Sequence, residues 1–299
     1  MTTLVSSPDE LAGRLDEQGY LADEGLATAA YLALALHRPL FVEGDAGVGK
    51  TALAHALAAV VGAPLIRLQC YEGLDAAQAL YDWDFPRQLL HLRAVEAAAT
   101  DIDVAVLERE IYGRDFLLAR PLLQAIETSP AVLLVDEVDR ADDEFEAFLL
   151  EVLSDFTVTI PELGTITAVE PPLVIVTSNR TREVHDALKR RCLYHWVEHP
   201  TFAREVAIVR RRCAGASERL AEQVTQAVQR LRAEDLLKPP GVAETIDWAE
   251  ALVALGVESL DAAGPAAVRT LGAVLKYRED QERVLELGLP RLLAEAGNG

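Results

Sequence analysis

Eight consecutive residues, Gly44-Asp45-Ala46-Gly47-Val48-Gly49-Lys50-Thr51, concentrate what is needed to hold a polyphosphate. They fit the spacing G-x-x-x-x-G-K-[ST]. Glycines let the backbone curl so that successive N–H groups face phosphate oxygens. The helix expected to follow adds the positive end of its dipole. Lys50 supplies a point charge to the β- and γ-phosphates, and Thr51 offers its hydroxyl to Mg²⁺. Asp45 is an unusual neighbour for a polyanion and is expected to point away from it.

A second group of candidates ends the apolar run Ala131-Val132-Leu133-Leu134-Val135 with Asp136 and Glu137. Carboxylates at the C-terminal end of a buried strand face the ligand crevice of an open α/β sheet. Asp136 can hold Mg²⁺ through its water shell, and Glu137 can polarise an attacking water. The run Leu173–Ser178 is followed by Asn179, placed either to bond a γ-phosphate or lytic water, or simply to form a turn. Lys189-Arg190-Arg191 can neutralise charge in phosphoryl transfer, or be the basic last turn of a helix; spacing leaves both readings open.

The elements that must position these groups alternate in type. Leu26–Leu36 and Lys50–Val61 read as helices, the second stopping near Gly62-Ala63-Pro64. Pro39–Glu43, Leu65–Gln69, Ala131–Asp136, Leu173–Ser178 and Tyr194–Val197 read as strands, and continuous apolarity suits parallel interior strands. Strands separated by helices predict a doubly wound α/β sheet. Between Leu153 and Leu173 the period drops to two, with Phe156, Val158 and Ile160 alternating with polar residues before a turn at Pro161–Gly164. That pattern predicts an inserted β-hairpin. Beyond Pro200 strand patterns cease and Phe202–Leu293 reads as helices. The expected organisation is therefore a nucleotide-binding α/β domain over 1–199 and an α-helical lid over 200–299.

Composition narrows the function. The chain has 299 residues, 51% hydrophobic and 25% charged, which suits a globular core. Its formal charge of −20 disfavours nucleic acid as the main partner. Three cysteines, Cys70, Cys192 and Cys213, without a C-x-x-C pair, argue against a disulfide framework or zinc site and fit a reducing cytoplasm. The histidines lack metal spacing. The start has no signal-peptide pattern, and the most apolar stretches are too short for a transmembrane segment. Tyr81, Trp83 and Phe85 can line a pore or pack an insert onto the sheet.

With these residues in view, the chain resembles AAA+ ATPases, and among them the MoxR family. GDAGVGKT and VLLVDEVDRA are similar to its two nucleotide motifs, and EFEAFLLEVLSDFTVTIPELGTI to its helix and hairpin. LIRLQCYEGLDAAQALYDW, TSNRTREVHDALKRRCLYHW and GVAETIDWAEAL resemble the CoxD-like subgroup, associated with maturation of molybdenum-containing carbon monoxide dehydrogenases and related hydroxylases. The resemblance spans about Asp23 to Leu252. It implies ATP and Mg²⁺ as cofactors, Asn179 as sensor 1, and a homo-oligomeric, commonly hexameric ring. It also implies Arg191 as a finger reaching a neighbouring subunit, with Arg190 second choice, and Arg140 near the subunit interface. Expected partners are a von Willebrand factor A domain protein and a metalloenzyme client. In one respect the chain departs from the pattern: Thr245 stands where many AAA+ lids carry a sensor 2 arginine. The competing readings are a P-loop small-molecule kinase, which would need an acceptor site and an arginine-rich lid, and a nucleotide-gated scaffold with little turnover.

Overall fold

The computed structural model describes residues 5–97, 103–260 and 265–288. The strands are β1 (Leu40–Gly44), β2 (Leu65–Gln69), β3 (Tyr81–Trp83), β4 (Leu117–Ala119), β5 (Val132–Asp136), β6 (Thr157–Ile160), β7 (Gly164–Thr167), β8 (Leu173–Ser178) and β9 (Leu193–Val197). Five of them form one sheet in the order β2-β5-β8-β1-β9. The pairs β2·β5, β5·β8 and β1·β8 are parallel, so their C-terminal ends share one edge. β1, β5 and β8 are buried at every position, as unbroken apolar runs require when both faces are covered. The fold is the α/β parallel sheet expected, followed by a helical C-terminal region.

Contacts divide the chain into two compact units. The first comprises Met1–Leu11, Glu24–Glu43 and Leu57–His195. Its core joins Phe41, Leu133, Val135, Val174 and Val176 of the sheet to Phe145, Leu149 and Val152 of the helix Asp143–Asp155. The expected hairpin is present: Val158 and Ile160 turn inward to this core, while Thr157 meets Thr167 and Thr159 meets Thr165 across the ribbon at 3.1 Å. A two-stranded ribbon of β3 and β4 also belongs here. Its aromatics pack edge to face, Tyr81 on Trp83 and Trp83 on Tyr112, whereas Phe85 is exposed.

The second unit comprises Ala12–Asp23, Gly44–Ala56 and Trp196–Gly299. Its core packs Leu220, Val224, Val228 and Leu231 of the helix Glu218–Ala233 against Trp248 and Leu252 of the helix Val242–Ala254. Positions 261–264 and 289–293 of the expected helical stretch lie outside the described residues. No helix among the described residues is long and apolar enough to cross a membrane.

Candidate functional site

The phosphate loop begins at the C-terminal end of β1 and runs into the helix Lys50–Val61, which carries Lys50 and Thr51 in its first turn. Gly47 and Gly49 have φ of +79° and +99°, values that an L side chain resists. A Cβ on Gly47 would also come within 3.2 Å of the Gly241 Cα. Lys50 is buried, and a buried ammonium needs acceptors. The carbonyls of Gly44 and Asp45, each 2.7 Å from its Nζ, supply them. The Asp45 carboxylate lies 3.4 Å from Nε2 of His199. Burial, reinforced by Arg232, holds the His199 pKa below its usual value despite Asp45 and Glu205.

The same loop touches the helix Val242–Ala254 through bare backbone. The amides of Val242 and Ala243 donate to the Gly47 carbonyl at 3.1 and 3.3 Å. A Cβ on Gly241 would meet the Ala46 carbonyl oxygen at 2.7 Å, so only glycine permits this approach. Thr245 does not replace an arginine chemically. It is fully buried, and its hydroxyl lies 2.7 Å from Glu205 Oε1 and 3.0 Å from the Gly241 carbonyl oxygen. The cation of this region is Arg232, whose fork donates to both Glu205 oxygens at 2.6 and 2.7 Å and whose Nε donates to the Pro240 carbonyl. Sequence reasoning missed it, because an arginine inside a helix of mixed charge carries no motif.

Asp136 and Glu137 end β5 in the other unit. Asp136 is buried; its Oδ1 accepts from the Thr177 hydroxyl at 2.5 Å, and its Oδ2 from the guanidinium of Arg67. Glu137 adopts the left-handed backbone region, φ +56° and ψ +51°. A non-glycine residue there is strained, and such strain clusters at functional sites. Its amide donates to Thr177 Oγ1 at 2.9 Å. Three donors hold its carboxylate: Asn179 Nδ2 on Oε1 at 3.2 Å, and Gln69 Nε2 and Arg140 Nη1 on Oε2 at 3.0 Å each. The fold thus brings Asn179 and Arg140 onto Glu137. Gln69 and Arg67 were not anticipated; alternation in β2 was the available signal, since it puts positions 67 and 69 on one face.

Asp139 braces the loop that carries Asn179. Its buried carboxylate accepts the amides of Asn179 at 3.1 Å and Thr181 at 2.8 Å, and the Thr181 hydroxyl at 2.6 Å. Burial raises its pKa, but the Thr181 and Asn179 bonds outweigh burial and leave it below the usual carboxylate value. A depressed folded pKa stabilises the fold above the unfolded value, and that contribution is lost as pH falls through the folded one. Asp139→Ala is expected to cost about 1–3 kcal/mol at pH 7, since it removes three hydrogen bonds to a charged group. Denaturant unfolding of both forms checks this, and their difference should shrink below about pH 4.

Arg191 makes a different contact. It closes the helix Asp186–Arg191 and is exposed, with Nη1 donating to the Leu150 carbonyl at 3.4 Å. Arg38 donates to the carbonyls of Arg190 and Arg191, fastening the end of that helix. Arg190 is exposed and pairs with Asp186 at 3.7 Å. The cysteines are buried, and burial pushes the thiols of Cys70 and Cys192 up to about 12, which makes both poor metal ligands and nucleophiles. No cluster of three or more His, Cys, Asp or Glu suited to a metal occurs among the described residues.

A glycine-rich loop leaving β1 and a carboxylate pair ending β5, on a sheet of order β2-β5-β8-β1-β9, define the AAA+ phosphate-loop fold. Residues 39–192 match the AAA domain (dynein-related subfamily), and the chain belongs to that family. A solved structure of a point variant of Thermotoga maritima RuvB is similar with a TM-score of 0.51 and 16% identity, over 97% of this chain and 85% of that one. A second variant of the same RuvB gives 0.49 and 15%, over 99% and 86%. At such identity the likeness concerns the fold alone. Comparison with curated proteins finds no match.

Proposed function

We propose that this chain is a MoxR-type AAA+ ATPase that uses ATP hydrolysis to remodel or mature a client protein, a molybdenum hydroxylase or carbon monoxide dehydrogenase-type enzyme. The observation that carries the hydrolytic part is the Glu137 carboxylate, held by Asn179, Gln69 and Arg140 beside Asp136. A carboxylate oriented by donors and adjacent to a cation-holding acid is arranged to take a proton from an attacking water.

In this reading the amides of Gly44–Thr51 and the Lys50 ammonium bind the β- and γ-phosphates, Asn179 orients the water or γ-phosphate, and Glu137 accepts the proton. The Thr51 hydroxyl and Asp136 carboxylate are hard oxygen donors of the kind Mg²⁺ prefers. When bound, the ion neutralises charge on the phosphates. Residues 1–199 are the nucleotide-binding domain and 200–299 the lid. The Gly47–Gly241 backbone contact, rather than a sensor 2 side chain, couples loop to lid. The client rests on the CoxD-like phrases, the von Willebrand factor A partner on the MoxR resemblance, and a cytoplasmic setting on composition.

Arg191 tests the ring. Its guanidinium is exposed and weakly held, as a residue destined for a neighbour's nucleotide must be. Arg191→Ala is expected to bind ATP normally but lose about 10³-fold in turnover, the scale of an arginine finger. Titrating the variant into wild-type protein should depress turnover more than dilution does. Turnover per chain that is independent of protein concentration and of added variant would sink the shared-site reading.

A further inference from the structure

Arg67 touches Asp136 directly and reaches Glu137 through Gln69. Asp136 is almost completely buried, and a buried carboxylate requires compensation. Arg67 provides it from the neighbouring strand: Nε and Nη2 both donate to Oδ2, at 3.0 and 2.5 Å. Thr177 occupies Oδ1, so Arg67 stands on the oxygen that a divalent cation or its water shell would engage. The Arg67 side chain is 51% exposed, which gives it room to leave. The same Nη2 donates to Gln69 Oε1, and Gln69 Nε2 in turn donates to Glu137 Oε2. Release of Asp136 by Arg67 therefore disturbs the amide that fixes the hydrolytic carboxylate.

On the reading that Asp136 faces the cation, we infer that Arg67 is a positioning residue that competes with Mg²⁺ for Asp136. Its displacement is transmitted through Gln69 to Glu137. A guanidinium and a divalent cation that draw on the same carboxylate oxygen repel one another, so cation binding weakens the Arg67 contact and favours its release. Arg67 thereby sets the Mg²⁺ concentration at which nucleotide is gripped, and keeps Asp136 compensated until then.

The experiment is a titration of Mg²⁺ into full-length protein with a fluorescent N-methylanthraniloyl-ADP at fixed concentration. Wild type is compared with Arg67→Ala and with Arg67→Gln, the latter preserving length and polarity should alanine loosen the strand. Both variants should reach their half-maximal change at about five- to tenfold lower Mg²⁺, the scale of one charge-assisted pair removed. Their affinity for the nucleotide in EDTA should stay within about twofold of wild type, since Arg67 competes with the cation and not with phosphate. An unchanged or higher Mg²⁺ midpoint in both variants overturns the inference while leaving the phosphate-loop reading intact. Failure of wild type to bind the nucleotide with or without Mg²⁺ strikes the phosphate-loop reading itself, and this inference with it.

Discussion

Glu137→Gln will retain ATP binding and lose hydrolysis by about 10²–10⁴-fold, the contribution of a positioned general base. The amide has nearly the same shape but cannot take a proton. It also meets the wrong partners. Oε2 of Glu137 accepts from two donors, Gln69 Nε2 and Arg140 Nη1, and Oε1 accepts from Asn179 Nδ2. A carboxamide has only one acceptor oxygen, so in either orientation its NH₂ faces at least one donor. The side chain should therefore shift slightly as well as lose basicity. Single-turnover hydrolysis and an equilibrium binding titration on the same preparation separate these effects. Turnover within about threefold of wild type would remove Glu137 from the chemistry. Because the variant would dwell with ATP bound, it is also the form with which to capture a client, identified by what elutes when ATP is withdrawn.

Lys50→Ala will lose nucleotide affinity by about 30- to 1,000-fold, as expected when one partner of a desolvated charged pair is truncated. The Lys50 ammonium is buried, and no other side chain of Gly44–Thr51 is cationic. The substitution has a second consequence. Lys50 Nζ ties the carbonyls of Gly44 and Asp45 together at 2.7 Å each, and without it the start of the loop loses both bonds. Lys50→Met keeps the bulk of the stem and distinguishes lost charge from lost packing. Titration of labelled ADP with each variant is the measurement, with thermal unfolding as a check on the fold. Affinity equal to wild type in both would dismiss the phosphate-loop assignment.

Several correct readings came from local patterns. The continuous apolar runs are strands because an interior strand is covered on both faces; β1, β5 and β8 are buried throughout, and their polar residues, Glu43, Asp136, Thr177 and Ser178, fall at the C-terminal ends. The hairpin was legible because its period of two sends Val158 and Ile160 inward and Thr157 and Thr159 outward. The stretch from Ala76 to Glu127 was not. Its helices Ala76–Leu80 and Pro121–Glu127 and its three-residue strands β3 and β4 are too short to display a period, and its longer helices Phe85–Ala97 and Val104–Ile111 bury no apolar residue. Their stability comes from contacts such as Trp83 on Tyr112, distant in the chain.

The amino-acid sequence by itself determined the chemistry available: a glycine loop with Lys50 and Thr51, two acids ending an apolar strand, an amide at Asn179 and an arginine at Arg191. Those features are legible because the residue types and spacings they require are local. Only the tertiary structure decided which partners each group has. β2 lies beside β5 with Gln69 in register with Asp136, and this neighbourhood delivers Gln69 to Glu137 and Arg67 to Asp136. Gly241 meets Gly47 across almost two hundred positions of chain, and Thr245 turns into a buried Glu205–Arg232 network rather than outward. Strand order and helix docking are set by burial summed over many side chains, and no window of sequence contains that sum.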